Sequence, residues 1–512
     1  MVMVETEFAG QDVRTLLARH AQERGNHPFL VWEPFDGVQV DGMRSHWTYA
    51  AFLAQVKVVA AGLVARGVAP GDHVLIHLEN CPEFLMAWLA CGWVGAVAVT
   101  TNTRSTVSDI AYFARHCQAV GAITEPAYQA AVRAGLADGA WLHVVRAGQG
   151  MGDLAGDPTA LPALEARPDR PFAIQYTSGT TARPKAVLWS HGNCLWGAQV
   201  SAMHEGLRPD DVHLVFLPLI HTNAQVYSVL ASLWVGATVV LQPRFSASRF
   251  WEVALRNGCT WTSVVPFCTS ALLEHPVPAR HSFRFFGAAI RIPALEAHFR
   301  VPMVTWWGMT ETISHGIVSS PTRPAAPMGM GFSSPYYEIL VLDDGMQPVS
   351  PGETGDLYVR GQRGLSLFME YAGDADATAK SFTPDGLFIT GDRVRLGEDG
   401  TLFFVERAKD MLKVGGENVA ASEIERVIMM VPGVREVAVA GRLHPMLDEV
   451  PVAFVIPHNG TDVAGLTADI VATCEEQLAD YKRPHEVRLV DDLPRSTLNK
   501  VSKADLRCML QG

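Results

Sequence analysis

"WVGAVAV", Trp93–Val99, and "WVGATVV", Trp234–Val240, are nearly the same seven residues met twice in one chain of 512. Each follows an apolar run of helical texture. In each, the glycine can end a helix in left-handed backbone, and the β-branched run behind it reads as a buried strand. A helix, a glycine stop and a buried strand, repeated, predict an α/β fold. The expectation is two doubly wound subdomains that share one cleft.

From about Ala325 the texture changes. "YEILVLDDGMQPVSPGETGDLYVRG" is made of short strand-like runs divided by Asp-Gly and Pro-Gly turns, as in a small antiparallel or barrel-like region. Glu398-Asp399-Gly400 reads as a hairpin turn, and Val405–Lys409 as a charged crossing with no hydrophobic face. Beyond it, Ser422 with a glutamate three residues later reads as a helix N-cap. Ile424, Val427, Ile428 and Val431 then recur at helical spacing. The expected division is a large N-terminal domain, 1–407, and a mobile α+β C-terminal domain, 408–512.

Composition narrows the class. The chain is too long for a single core, and 48% hydrophobic with 18% charged residues is globular usage. A net charge of -12 argues against nucleic acid as the main partner. Its eight cysteines include no CxxC pair, so neither a zinc site nor a disulfide framework is indicated, and reduced cysteines in a cytoplasmic protein are expected. The acidic N-terminus lacks the cations of a signal peptide. Phe84–Val99, the longest uncharged apolar stretch, is shorter than the roughly 20 residues that span a bilayer. No integral membrane association is expected, and homodimerisation is left open.

Chemistry concentrates in five places. "YTSGTTARPKAVLWSH", Tyr176–His191, crowds hydroxyls around Gly179 and adds Lys185. It lacks the second glycine and the Lys-Ser/Thr pair of the common phosphate loop. It can nonetheless wrap the outer phosphates of ATP with Ser178, Thr180, Thr181 and the lysine. "WWGMTETI", 306–313, sets Thr310 beside Glu311, a hydroxyl and a carboxylate able to meet a phosphate and Mg2+ together. "FITGDRVRL" puts Asp392 where a carboxylate can accept both ribose hydroxyls. "VERAKDMLKVGGENV" supplies Arg407 and the pair Gly415-Gly416, and "LPRSTLNKVSK" carries Lys500.

These motifs, in this order, resemble the adenylate-forming superfamily of acyl-CoA synthetases, adenylation domains and luciferases, over about residues 25–508. The loop resembles YTSGTTGxPKG, with Ala182 and Ala186 where glycine is usual. "WGMTE" resembles YGxTE, and "ERAKDMLKVGGEN" resembles GRxKDxIKxGGEN with Glu406 in place of the first glycine. "LIHLENCPEFLMAW", "TSGTTARPK" and "GMTETI" are most similar to the crotonobetaine/carnitine-CoA ligase-like subgroup.

The resemblance implies a two-step reaction with ATP, Mg2+ and CoA. A carboxylate attacks the α-phosphate, pyrophosphate leaves, and a thiol then displaces AMP from the acyl-adenylate. It implies that Thr177, Ser178, Gly179, Thr180, Thr181 and Lys185 hold the phosphates. Gly287, Ala288, Ala289 and Trp307 would surround adenine, Gly308 and Met309 would also bind the nucleotide, and Asp392 and Arg407 the ribose. Thr310, Glu311 (with Mg2+), His221 and Lys500 would form the catalytic set, with Lys500 neutralising charge in the first step. Lys409 would be the hinge about which the C-terminal domain turns, bringing Gly415 and Gly416 to CoA.

In "LPLIHTNAQVYSVL", 217–230, His221 matches a P-x-x-H segment at the mouth of the acyl pocket. Asn223 and Gln225 follow where a fatty-acid ligase would show glycine or apolar residues. Unpaired amides in an apolar tunnel are costly, which predicts a small to medium acid with its own polar group. The chain ends soon after Lys500 with no carrier-domain serine motif, so CoA is the expected acceptor. The alternatives are a stand-alone adenylating enzyme that loads a carrier protein, and a medium- or long-chain fatty acid-CoA ligase.

Overall fold

The computed structural model describes residues 7–35, 45–177, 184–407, 411–414, 417–445, 447–458, 460–478, 480–495 and 501–510. The chain forms two compact units. The first comprises 1–179, 183–339 and 359–388, and the second 180–182, 340–358 and 389–512.

Both echo segments do what their residues require. The helix Pro82–Val94 ends on Gly95 at φ 78°, and the buried strand Val97–Thr100 follows. The helix Ala231–Val235 ends on Gly236 at φ 80°, and the buried strand Thr238–Leu241 follows. Only glycine enters that left-handed region at no steric cost, so one residue type stops both helices.

The two strands belong to the two sheets of the first unit. Among the described residues, one sheet runs in the spatial order Glu370–Tyr371, Lys185–Ser190, Pro171–Thr177, Val97–Thr100, His73–His77, Gly121–Thr124, Trp141–Val144. Its last five strands are mutually parallel, and the first two join antiparallel. The other sheet has a parallel centre of Met303–Trp307, Phe285–Ala288, Trp261–Ser263, Val212–Val215, Thr238–Leu241 and Pro28–Trp32. Parallel strands are hydrophobic on both faces because helices cover both. The burial of all four residues in Val97–Thr100 and in Thr238–Leu241 is the local sign of it.

A four-stranded sheet, most of it in the second unit, has the order Glu338–Leu342, Thr354–Arg360, Phe388–Leu396, Leu402–Arg407. Its last two strands form the antiparallel hairpin expected around Asp399-Gly400, with Gly400 at φ 82°. The C-terminal module has the long antiparallel pair Val434–His444 and Asp448–Pro457, the strand Glu486–Leu489 parallel to the latter, and the helices Ala421–Ile428 and Val463–Gln477. Ile424, Val427, Ile428 and Val431 are all buried in its core, as their spacing predicts.

The expected cap at Ser422 is not formed. Helix Ala421–Ile428 begins two residues earlier than a Ser422 cap would place it, with Ala420 at the cap position and no side-chain cap bond. Ser422 instead donates its hydroxyl to the carbonyl of Val405. A short polar side chain can serve a distant backbone acceptor as well as its own helix, and here the tertiary partner wins.

Candidate active site

In doubly wound sheets, ligands sit beyond the carboxyl ends of the strands. The sequence-predicted residues of the first unit gather there. Thr177 ends one strand and is the register partner of Lys185 at the start of its neighbour. Gly287 and Ala288 close the strand Phe285–Ala288, and Ala289 emerges exposed just past it. Gly308, Met309 and Thr310, all half-buried, follow the strand Met303–Trp307.

Gly287 and Gly308 are glycines because nothing larger fits. A Cβ on Gly287 would lie 1.8 Å from Trp306 Cη2, and one on Gly308 would lie 2.5 Å from Tyr227 Oη and 2.8 Å from the Ser314 carbonyl. Trp306 is itself clamped, stacked on His315 at 4.4 Å and on Trp261 at 6.1 Å between ring centroids.

The turn that carries Thr310 and Glu311 is fixed carbonyl by carbonyl. Trp189 Nε1 donates to the Thr310 carbonyl at 2.9 Å, the Phe368 amide to that of Glu311 at 2.9 Å, and Tyr337 Oη to that of Thr312 at 2.6 Å. Thr312 Oγ1 accepts from the Met309 amide at 2.8 Å. Ile313 then takes φ 61°, a conformation rare for a β-branched residue, while fully buried. Backbone strain of this kind persists only where surroundings over-determine it, and it clusters at functional sites.

Side chains are held as firmly. The Glu311 carboxylate, 5% exposed, accepts from Tyr371 Oη at 2.9 Å, and Lys185 Nζ lies 4.4 Å from the centroid of the same tyrosine ring. A second network joins the two sheets. Thr222 Oγ1 lies 3.3 Å from Thr310 Oγ1 and donates to Gln175 Oε1 at 3.0 Å. Gln175 Nε2 donates to Gln225 Oε1 at 2.7 Å, and Gln225 Nε2 reaches Thr100 Oγ1 at 3.4 Å.

That network separates the two amides of the acyl segment. Gln225 is fully buried and its amide is satisfied within the protein. Asn223 Oδ1 is buried with no hydrogen-bond partner among the described residues. Both lie on Asn223–Leu230, a π-helix, a form that accumulates at functional sites. His221, half-buried, closes the preceding turn, its amide donating to the Pro218 carbonyl at 3.0 Å.

Behind the turn lies a buried titratable group that no motif announced. Glu205 and His315 are both fully buried, 3.9 Å apart, and the His204 ring lies tilted against His315 at 5.6 Å between centroids. Desolvation holds Glu205 well above the usual carboxylate range and His315 well below the usual imidazole range, so burial opposes a charge on either.

In the second unit, Asp392 is 2% exposed and is the direct cross-strand partner of Arg407 in the hairpin register. Its amide donates to Thr390 Oγ1 at 3.0 Å. Ser178, Gly179, Thr180, Thr181, Lys409, Gly415, Gly416 and Lys500 lie outside the described residues.

Gln175, Trp189, Thr222, Tyr337 and Tyr371 were not singled out by motif. Gln175 carried a usable signal, a lone amide inside the apolar strand Pro171–Thr177, where burial demands a partner. The others act through contacts between segments far apart in sequence.

Two parallel sheets whose strand ends converge on glycine, hydroxyl and carboxylate groups define an α/β enzyme of the nucleotide-handling kind. Residues 17–372 match the family model of the AMP-binding enzymes, and residues 423–500 that of the AMP-binding enzyme C-terminal domain. The chain belongs to the AMP-binding enzyme family and is an acid–thiol ligase of the acyl-CoA synthetase type. It is 32% identical to the crotonobetaine/carnitine–CoA ligase of Proteus mirabilis, over 91% of this chain and 94% of that one. The enzyme of the same name from Salmonella typhimurium is 29% identical over 97% and 99%. Among solved structures, ATP-bound MatB from Rhodopseudomonas palustris superposes with a TM-score of 0.85 at 28% identity, covering 97% of this chain and 98% of that one. O-succinylbenzoate coenzyme A synthetase from Bacillus subtilis, in complex with ATP and magnesium ion, gives 0.82 at 28%, covering 97% and 99%.

Proposed function

We propose that the protein activates a small to medium carboxylic acid bearing a polar group, forming an acyl-adenylate from ATP and then the CoA thioester. The observation that carries this is the meeting, at the strand ends, of Lys185 and Glu311 on one buried tyrosine, with Thr310 beside Glu311 in the same turn. A cation, a hydroxyl and a carboxylate so placed suit a polyphosphate and its metal.

In the first step a carboxylate oxygen bonds to the α-phosphorus and the bond to the bridging oxygen breaks, releasing pyrophosphate. Lys185, with the hydroxyls of Thr177, Ser178, Thr180 and Thr181 and the backbone at Gly179, holds the departing phosphates, and Thr310 the α-phosphate. Gly287, Ala288, Ala289 and Trp307 bound the adenine site, and Gly308 and Met309 also meet the nucleotide. Asp392 and Arg407 hold the ribose, a role supported by their cross-strand register. Lys500 offsets charge that develops between carboxylate and phosphate. In the second step the CoA sulfur bonds to the acyl carbon and AMP leaves.

Mg2+, when bound, neutralises phosphate charge. The residues present fit it, because the buried Glu311 carboxylate, held by Tyr371, offers one hard oxygen donor beside the phosphate-binding groups. Magnesium needs no cage of protein ligands where one carboxylate, here Glu311, acts with substrate phosphates.

His221 and Asn223 border the acid. The unpaired Asn223 Oδ1 favours a substrate whose own group donates to it, since burying an acceptor unpaired costs roughly 1–3 kcal/mol. The domain division at 407/408, the hinge at Lys409 and the approach of Gly415 and Gly416 to CoA belong to the same proposal. So do a cytoplasmic location and homodimerisation. No helix among the described residues is long and apolar enough to cross a membrane. Pyrophosphate release over a panel of carboxylic acids, with and without CoA, tests the reading. Release that depends on the acid, with CoA consumed one for one, is expected; release indifferent to every acid would refute it.

A further inference from the structure

Tyr371 lies on the short edge strand Glu370–Tyr371, far in sequence from the groups it touches. Its register partner on Lys185–Ser190 is Val187. Lys185, two residues before Val187, therefore lies on the same face, diagonally across the pair, where a long side chain reaches an aromatic ring. The ring takes the ammonium on its face at 4.4 Å, and the hydroxyl donates to Glu311 Oε1 at 2.9 Å. The side chain has little freedom. It is 5% exposed, its ring packs on Phe368 at 4.8 Å, and its amide donates to Thr378 Oγ1 at 2.9 Å. Thr378 in turn donates to the Asp374 carbonyl at 2.9 Å.

We infer that Tyr371 is a positioning residue that sets Glu311 and Lys185 together: its hydroxyl aims the carboxylate and its ring seats the ammonium. The inference rests on the proposed roles of those two residues towards metal and phosphates. A neutral partner orients a charge without cancelling it, so both charges keep their strength for a ligand. The two contacts also reinforce each other. A phenol that donates to a carboxylate becomes more electron-rich, and its ring face attracts a cation more strongly.

The test separates hydroxyl from ring. Mn2+ with ATP and no acid permits binding without turnover, and free Mn2+ is read by electron paramagnetic resonance. Tyr371→Phe, which keeps the ring, should weaken Mn2+ binding in the ATP complex about tenfold. Tyr371→Leu should show that loss and a further loss of about fivefold in pyrophosphate affinity, which Tyr371→Phe restores. In a Glu311→Gln background, Tyr371→Phe should cost no further Mn2+ affinity, because the partner it serves is gone. Mn2+ affinity of Tyr371→Phe within twofold of wild type, or an undiminished loss in the Glu311→Gln background, would overturn the inference alone. A wild-type enzyme that binds no Mn2+ with ATP would overturn the phosphate-site reading and this inference with it.

Discussion

Asn223 and Gln225 are two amides two positions apart with opposite surroundings, and the difference is measurable. Gln225→Leu breaks a satisfied network and leaves Gln175 short of a partner, so it should cost stability, about 1–3 kcal/mol, for every substrate alike. Asn223→Leu removes an unpaired acceptor, so it should leave stability almost unchanged and shift relative kcat/KM from polar-tailed acids towards plain alkanoic acids. An identical rank order of acids in Asn223→Leu and wild type would place Asn223 away from the substrate. At Lys500 the issue is timing. A cation that matters in the transition state of the first step lowers its barrier by roughly 3–4 kcal/mol, or 10²–10³ in rate. Lys500→Ala should lose ATP–pyrophosphate exchange by that factor yet still make thioester from supplied acyl-adenylate. Equal loss in both half-reactions would remove Lys500 from the first step.

At the scale of elements, the strand ends are where sequence was most and least informative. The glycine stops at Gly95 and Gly236 and the buried strands behind them were legible because glycine's left-handed freedom and β-branched runs are local properties. The carboxylate–hydroxyl turn was legible as chemistry, since Thr310 and Glu311 are adjacent. What fixes it was not. Trp189, Tyr337 and Tyr371 come from three segments far apart in sequence, and the tertiary fold decides their meeting. The π-helix was equally hidden, because an apolar run has the same composition whichever ladder its amides choose. Ser422 shows the opposite failure, a correct local cap signal overruled by the Val405 carbonyl. The packing around the adenine-strip strand gives a direct check. Gly287→Ala would force a methyl against clamped Trp306, so the unfolding midpoint should fall by the equivalent of about 1–3 kcal/mol. Unchanged thermal unfolding would mean the Trp261–Trp306 stack can move aside.

For the molecule as a whole, the two-unit plan was visible as a change of texture, whereas its boundaries interleave, with 359–388 belonging to the first unit and 340–358 to the second. No local signal reports such interleaving. All twelve tryptophans lie between Trp32 and Trp307, so intrinsic fluorescence follows the first unit alone. That unit also carries a pH dependence. Burial lowers His77, His191, His204 and His213 to about 4, so the folded state stays unprotonated where the unfolded chain binds protons below 6.5. Their contribution is present above 6.5 and is lost as pH falls towards 4. Buried Glu83 and Glu205, whose values are raised, act the other way and offset part of it. The lowered histidines outnumber the raised carboxyls, so net stability should fall as pH falls from 6.5 towards 4. The urea midpoint read by tryptophan fluorescence should therefore drop between pH 7 and 5, and equal midpoints would contradict the neutral burial of these histidines. The central claim, that the acid's own oxygen attacks the α-phosphorus, has a more direct test. With an acid labelled with ¹⁸O in its carboxylate, the enzyme, ATP, Mg2+ and CoA should yield AMP carrying one ¹⁸O, read by mass spectrometry. Unlabelled AMP, or ADP and phosphate in its place, would contradict the acyl-adenylate.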